Sequence, residues 1–360
     1  MILTILLIVA GLALLIKSSD WLVESAAALA KRLGVPELTI GLTIVAVGTS
    51  LPEMVSAVTS SLIGQPQLAL GNVIGSNLSN LCWILGLSSL LATIKTKEVE
   101  LKRDGYIMLS VTTIFMLMGF RGYLDAFSGL ILILIFSVYT LFLIQSGAKK
   151  KKHYFSEFLD YFFNFKYLTT IKDINEKIFT KRRIRKRDKV VAVRYKESGH
   201  LEKKAEVSAK ELLIKDILTI VLSMVGVIAG GWLFITNVSY FADMLGITKT
   251  FMGMTLVAIG TTLPELFVAI SCIKRKYFYL LIGNVLGSSI TNILLVMGLS
   301  LLFSNYVVVP DTIRFFTLPF LFLIALVSSV FIRTGWKIDR FEGVILIGAY
   351  VFVLLFNYFF

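Results

Sequence analysis

Two glutamates occupy matching places in this 360-residue sequence. Glu53 ends the run GTSLPE and Glu265 ends GTTLPE, and each run lies inside a long apolar stretch. A charge near the centre of a bilayer costs about 2.5–3.5 kcal/mol by the lowest estimates, so such residues mark ion pathways. The neighbouring residues deepen the point. Pro52 and Pro264 have no N–H and obstruct the preceding turn, which frees carbonyls near residues 46–49 and 258–261. Gly48 and Gly260 ease the bend. No Lys or Arg stands in either run to neutralise the carboxylate. Two unpaired carboxylates brought together repel; a metal cation would settle both, together with the freed carbonyls.

A second run supplies more oxygen. Asn72, Ser76 and Asn80 recur every fourth residue, as do Asn284, Ser288 and Asn292, so each set forms one stripe of a helix. Gly71, Gly75, Gly283 and Gly287 stand beside them, and small residues at this spacing let helices approach closely. We expect each stripe to press on the broken helix of its own half. Taken alone, the stripes fit interhelical hydrogen bonding best; beside the carboxylates, ligation is the favoured reading. All matched polar donors are oxygens, with no His or Cys, which suits a hard cation. A flexible cage favours calcium over magnesium, and sodium uses the same ligand types.

These runs belong to an internal repeat. GLTIVAVGTSLPEM at 41–54 aligns with GMTLVAIGTTLPEL at 253–266, nine of 14 positions being identical. The same offset of 212 aligns GNVIGSNLSNLCWILGL at 71–87 with GNVLGSSITNILLVMGL at 283–299, with eight of 17 identical.

The elements that carry the repeat are apolar. The chain is 56% hydrophobic, with a mean hydropathy of +0.82, and many runs approach the roughly 20 residues that cross a bilayer as a helix. Ten segments emerge, near 2–29, 36–63, 68–92, 106–120, 123–145, 212–243, 250–273, 278–302, 313–332 and 340–359. The first lacks the basic start and cleavage site of a signal peptide and reads as a span. We therefore expect an all-α polytopic membrane protein, with ten transmembrane helices as two inverted-topology five-helix repeats. Residues 1–145 form the first repeat, 146–211 a basic cytoplasmic loop and 212–360 the second repeat. Five spans per half is odd, so the halves cross in opposite senses, a plan common among secondary transporters with a midplane site.

The net charge of +13 is local, since residues 149–210 hold 19 of the 36 Lys and Arg. That argues for orientation rather than nucleic-acid binding. Positive charge alternates between connections, which places the large loop in the cytoplasm and both termini outside. Cys82 and Cys272 lie in apolar runs with no disulfide or metal spacing and read as small fillers.

The doubled motifs resemble the alpha repeats of the cation/calcium exchanger superfamily, in particular sodium/calcium exchangers of the short-loop prokaryotic type. The resemblance covers both halves and the central loop. It implies an antiporter in which sodium entering down its gradient drives calcium out by alternating access at one site. By match to the family's motif, Glu53 and Glu265 with the Thr49 and Thr261 carbonyls would hold calcium. The Ala46 carbonyl, Ser50 and Ser76 would serve one sodium, and the Ala258 carbonyl, Thr262 and Ser288 its counterpart. Asn80 and Asn292 would line the centre. Asparagine at 292, where potassium-dependent relatives have aspartate, removes a third carboxylate and argues against potassium dependence. Thr262 replaces the usual serine and keeps the hydroxyl. One calcium neutralises two carboxylates, whereas three sodiums would leave +1, so transport at the family stoichiometry is electrogenic. No cofactor is implied; calcium and sodium are cargo.

Other readings stay open. Protons could replace sodium, or another divalent ion calcium. A passive cation channel fits poorly, since channels build rings around an axis. An enzyme fits least, as no nucleophile has a matched base and both histidines, His153 and His200, fall in the loop. Asp20 and Glu24, one turn apart on the first segment, fit a solvated helix end or a guide for ions. Glu37 reads as a first-turn charge after Pro36. In the loop, YFSEFLDYFFNF at 154–165 fits an interfacial amphipathic helix and KRRIRKR at 181–187 an anionic-lipid contact, or both belong to an ordinary basic linker. The loop is too short for calcium-sensing sandwich domains.

Overall fold

In the computed structural model we describe residues 2–96, 98–146, 154–168, 170, 209–244, 258–304 and 306–359. The elements are almost all helical. α1 (Ile2–Leu33) leads to a helix in two limbs, α2 (Glu37–Thr49) and α3 (Leu51–Leu62), bent by 45°. α4 (Pro66–Leu91), α5 (Glu98–Gly119) and α6 (Ala126–Ser146) complete the first half. α7 (Tyr154–Phe163) follows in the loop. The second half comprises α8 (Ala209–Met244), the limbs α9 (Ala258–Thr261) and α10 (Leu263–Arg275), α11 (Phe278–Leu302), α12 (Ile313–Trp336) and α13 (Arg340–Phe359).

Six of these helices are long and apolar enough to cross a membrane, or seven if the bent pair α2–α3 counts as one span. The sequence reading expected ten segments. Of the others, α5 has a shorter apolar stretch, Asp104–Gly119, continued as helix through the charged turn at its start. The second broken helix is described only from Ala258 onward. α13 has 20 residues.

Two short antiparallel ribbons join the halves. β1 (Ile94–Lys95) pairs with β4 (Lys337–Ile338), and β2 (Tyr123–Asp125) pairs with β3 (Tyr306–Val308). α5 runs from the first ribbon to the second. Its 22 residues span about 33 Å at 1.5 Å per residue.

The longest contact joins α1 and α8. A methyl group on Gly11 would lie 2.7 Å from the Phe234 nitrogen, and one on Gly230 2.7 Å from the Leu15 nitrogen. Only glycine allows backbones this close. α8 also passes both helix breaks, with Met224 against Gly48 and Gly231 facing Pro264.

The loop sequence at 154–165 forms α7 up to Phe163. It docks by aromatic rings, Phe158 on Phe142 at 5.4 Å and Phe155 on Tyr106 at 5.9 Å. Phe158 and Tyr161 are buried. The run 181–187, His153 and His200 lie outside the described residues.

Candidate cation site

The break in each GTxLPE run falls on the residue before Leu. Ser50 has φ −81° and ψ 6°, and Thr262 has φ −91° and ψ 2°. Each following limb then starts with proline in its first turn, where no N–H is needed. The break places Glu53 and Glu265 in the first turn of α3 and of α10, the end of a helix that favours negative charge.

Both glutamates are completely buried, and they are electrostatic neighbours. Neither forms an ion pair among the described residues. Neither oxygen of Glu53 has a hydrogen-bond partner, nor does Oε2 of Glu265. Ser288 Oγ donates to Glu265 Oε1 at 3.5 Å. Unpaired buried carboxylate oxygens are costly, whereas a cation would satisfy them. The described residues contain no group of three or more His, Cys, Asp or Glu able to hold a metal. Any cation here takes two carboxylates and fills its shell from neutral oxygens.

Candidate neutral oxygens are buried on the motif helices. Thr49, Ser50, Ser76, Asn80, Thr262, Ser288 and Asn292 are all buried, and Thr261 is half-buried. Both side-chain polar atoms of Asn80 and of Asn292 lack partners, as does Ser50 Oγ. α4 and α11 pass through π turns at Ser79–Ile84 and Asn292–Val296, which shift side-chain register where these asparagines stand. Ala46 is buried, and its carbonyl accepts the Ser50 N–H at 3.0 Å and Thr49 Oγ1 at 3.3 Å. The Pro-freed carbonyl expected there is thus already engaged. Ala258 begins α9, and the motif residues 253–257 lie outside the described residues.

The expectation that each stripe presses on the broken helix of its own half needs correction. α2 lies on α11, the stripe helix of the opposite half. A methyl group on Gly41 would meet the Leu280 carbonyl at 2.7 Å, one on Gly283 the Leu38 carbonyl at 2.5 Å, and one on Gly287 the Leu42 Cα at 2.7 Å. These glycines let the two backbones touch. Only the second limb stays with its own half, α3 packing on α4, where Asn72 Nδ2 donates to the Glu53 carbonyl at 3.2 Å.

The crossing brings polar groups together that sequence reasoning left apart. Thr49 Oγ1 lies 3.2 Å from Asn284 Oδ1 and 3.2 Å from Ser288 Oγ, besides its contact with Ala46. A hydroxyl has one proton, so it cannot donate to all of these at once. Ser79 Oγ meets Thr262 Oγ1 at 3.0 Å. Ser79 was not singled out, although its repeat counterpart Thr291 is also a hydroxyl.

Asp20 and Glu24 divide. Glu24 is exposed and pairs with Arg275 at 3.3 Å. Asp20 is half-buried and accepts from Ser271 Oγ at 2.6 Å.

The family model described as sodium/calcium exchanger protein matches residues 3–145 and 215–359. The chain is 40% identical over 351 residues to sodium/calcium exchanger MaX1 of Methanosarcina acetivorans, covering 97% of each chain. It is 27% identical to inner membrane protein YrbG of Escherichia coli, covering 98% of this chain and 95% of that one. A solved structure of the sodium-calcium exchanger NCX_Mj shares its fold, with a TM-score of 0.75 over 98% of each chain at 24% identity.

Proposed function

This chain belongs to the sodium/calcium exchanger protein family, and on that premise we propose that it is an antiporter exchanging sodium for calcium by alternating access at the Glu53–Glu265 centre. As a member of that family it is a multi-pass membrane transporter rather than an enzyme. The observation that carries the finer reading is the buried pair of neighbouring carboxylates, without an ion pair among the described residues, on helices whose hydroxyl and amide side chains are buried too.

In this reading calcium is held by Glu53 and Glu265 with the carbonyls of Thr49 and Thr261. Sodium sits on either side, with Ser50 and Ser76 at one position and Thr262 and Ser288 at the other. The Ala46 and Ala258 carbonyls complete these shells, and Asn80 and Asn292 line the centre. The crowded hydrogen bonds of Thr49 support ion entry, because a group serving several acceptors loses little when a cation takes one of them. At Ala46 the entering sodium displaces the Thr49 hydroxyl and keeps the backbone bond.

We further read the chain as ten spans in two inverted halves, with both termini outside and the loop 146–211 in the cytoplasm. The ribbons support this. α4 ends at the β1–β4 ribbon, whereas its counterpart α11 ends at the β2–β3 ribbon, and α5 separates the two. Corresponding helices therefore point in opposite senses.

The test is calcium-45 uptake into sodium-loaded proteoliposomes. We expect uptake that collapses without the sodium gradient and responds to membrane potential. Uptake driven by a pH gradient in sodium-free medium would replace sodium by protons. Calcium flux without acceleration by trans calcium would indicate a channel.

A further inference from the structure

Asp20 is an ionisable group that the exchange centre leaves unexplained. It lies 13 residues before the end of α1, level with Ser271 of α10, whose hydroxyl it accepts at 2.6 Å. Ser271 is buried and follows Glu265 by six residues on the same helix, about 9 Å along the axis. Asp20 and Ser271 line a cleft of about 100 Å³ between α1 and α10, with Ile16, Phe267, Ile270 and Lys274. That is room for a cation with part of its water shell.

The charges around the cleft leave Asp20 available. Arg275 is engaged by Glu24, and Arg32 by Asp216 of α8. Lys274 is exposed at the mouth and forms no ion pair among the described residues. No described Lys or Arg is paired with Asp20. The second half repeats none of this. The counterparts at the 212 offset are Trp232 for Asp20 and Thr59 for Ser271, and both are exposed. Among the described residues this carboxylate–serine pair therefore has no counterpart in the repeat, and it lies toward the face carrying Arg32 and Lys274.

We propose that Asp20 and Ser271 form a one-sided way-station for the transported cation, between the Glu53–Glu265 centre and the face that carries Arg32 and Lys274. The inference rests on the exchange reading above. The Asp20 carboxylate supplies charge where a partly hydrated ion enters. The Ser271 hydroxyl donates its hydrogen bond to Asp20 and so presents its oxygen lone pairs to the ion. A hard cation, calcium or sodium, is the ligand this pair suits.

Sided membrane vesicles of the full chain test it, inside-out and right-side-out, with calcium-45 flux measured against calcium concentration. Asp20→Asn should raise the half-saturating calcium about fivefold at the Arg32 face and leave the opposite face unchanged. Asp20→Glu should restore it. If Asp20→Asn does not fold, Ser271→Ala should shift the same face alone, about twofold. A variant that changes neither face, or both equally, overturns the way-station while the active wild type upholds exchange. Wild-type vesicles without sodium-driven flux overturn exchange and the way-station together.

Discussion

The two copies of the GTxLPE run are nearly identical in sequence and differently engaged. In the first, Thr49 reaches across to Asn284 and Ser288, and its helix lies in backbone contact with α11. In the second, Thr262 reaches across to Ser79. Ser50, the counterpart of Thr262, has a buried hydroxyl without a partner. A duplicated sequence thus supplies equivalent donors, and this conformation engages Thr262 across the halves but leaves its counterpart Ser50 without a partner.

The largest expected effect tests where the halves are equal. Glu53→Gln and Glu265→Gln should each lower sodium-driven calcium uptake roughly 100-fold or more, the scale of about 3 kcal/mol for a lost buried charge partner. Full activity in either variant would break the single shared centre. In cation-free detergent both variants should melt no lower than wild type, since each removes an unpaired buried charge. Saturating calcium should stabilise wild type, by about 2.7 kcal/mol at 100 times Kd, and the variants far less.

The next effect tests the contact of α2 with α11. Gly283→Ala places a methyl group 2.5 Å from the Leu38 carbonyl and should cost about 1–3 kcal/mol in thermal unfolding. A melting temperature equal to wild type would break the close backbone approach of these two helices.

A smaller effect separates the two cross-half hydroxyls. Thr49→Val should raise the half-saturating calcium about fivefold, the worth of one buried hydrogen bond. Thr262→Val should raise the half-saturating sodium by a similar factor. Identical ion dependence in both variants would erase the distinction.

The smallest concerns an outer contact, the Ser61–Ser300 hydrogen bond at 2.6 Å, whose counterparts are Ile273 and Ser88. Ser61→Ala should lose about 0.5–1.5 kcal/mol of stability. Ser88→Ala should be neutral or slightly stabilising, because its buried hydroxyl has no partner.

Much of the site was legible before any fold was known. Glu53 and Glu265 stood out because a carboxylate inside an apolar run needs a reason, and repetition at a fixed offset supplied one. The proline breaks, the asparagine stripes and the oxygen-only donor set followed from spacing. Ser79 and Ser271 did not stand out, because a serine in a span is ordinary until its partner is known. The 154–165 segment read equally as linker or interfacial helix, and its aromatic docking on α5 and α6 decided that it packs. The fourth segment looked short because hydropathy does not register a helix that continues through the charged residues at 98–103.

By itself, the sequence determined the apolar helical character of the chain, its duplication and the chemistry of the residues at its centre. These are local properties, set by side-chain type and helical period. Which half touches which was decided only by tertiary structure. The glycines at 41, 283 and 287 permit close approach to any smooth surface, and period alone does not name the partner. Packing α2 onto the opposite stripe is what makes Glu53 and Glu265, far apart in sequence, buried electrostatic neighbours.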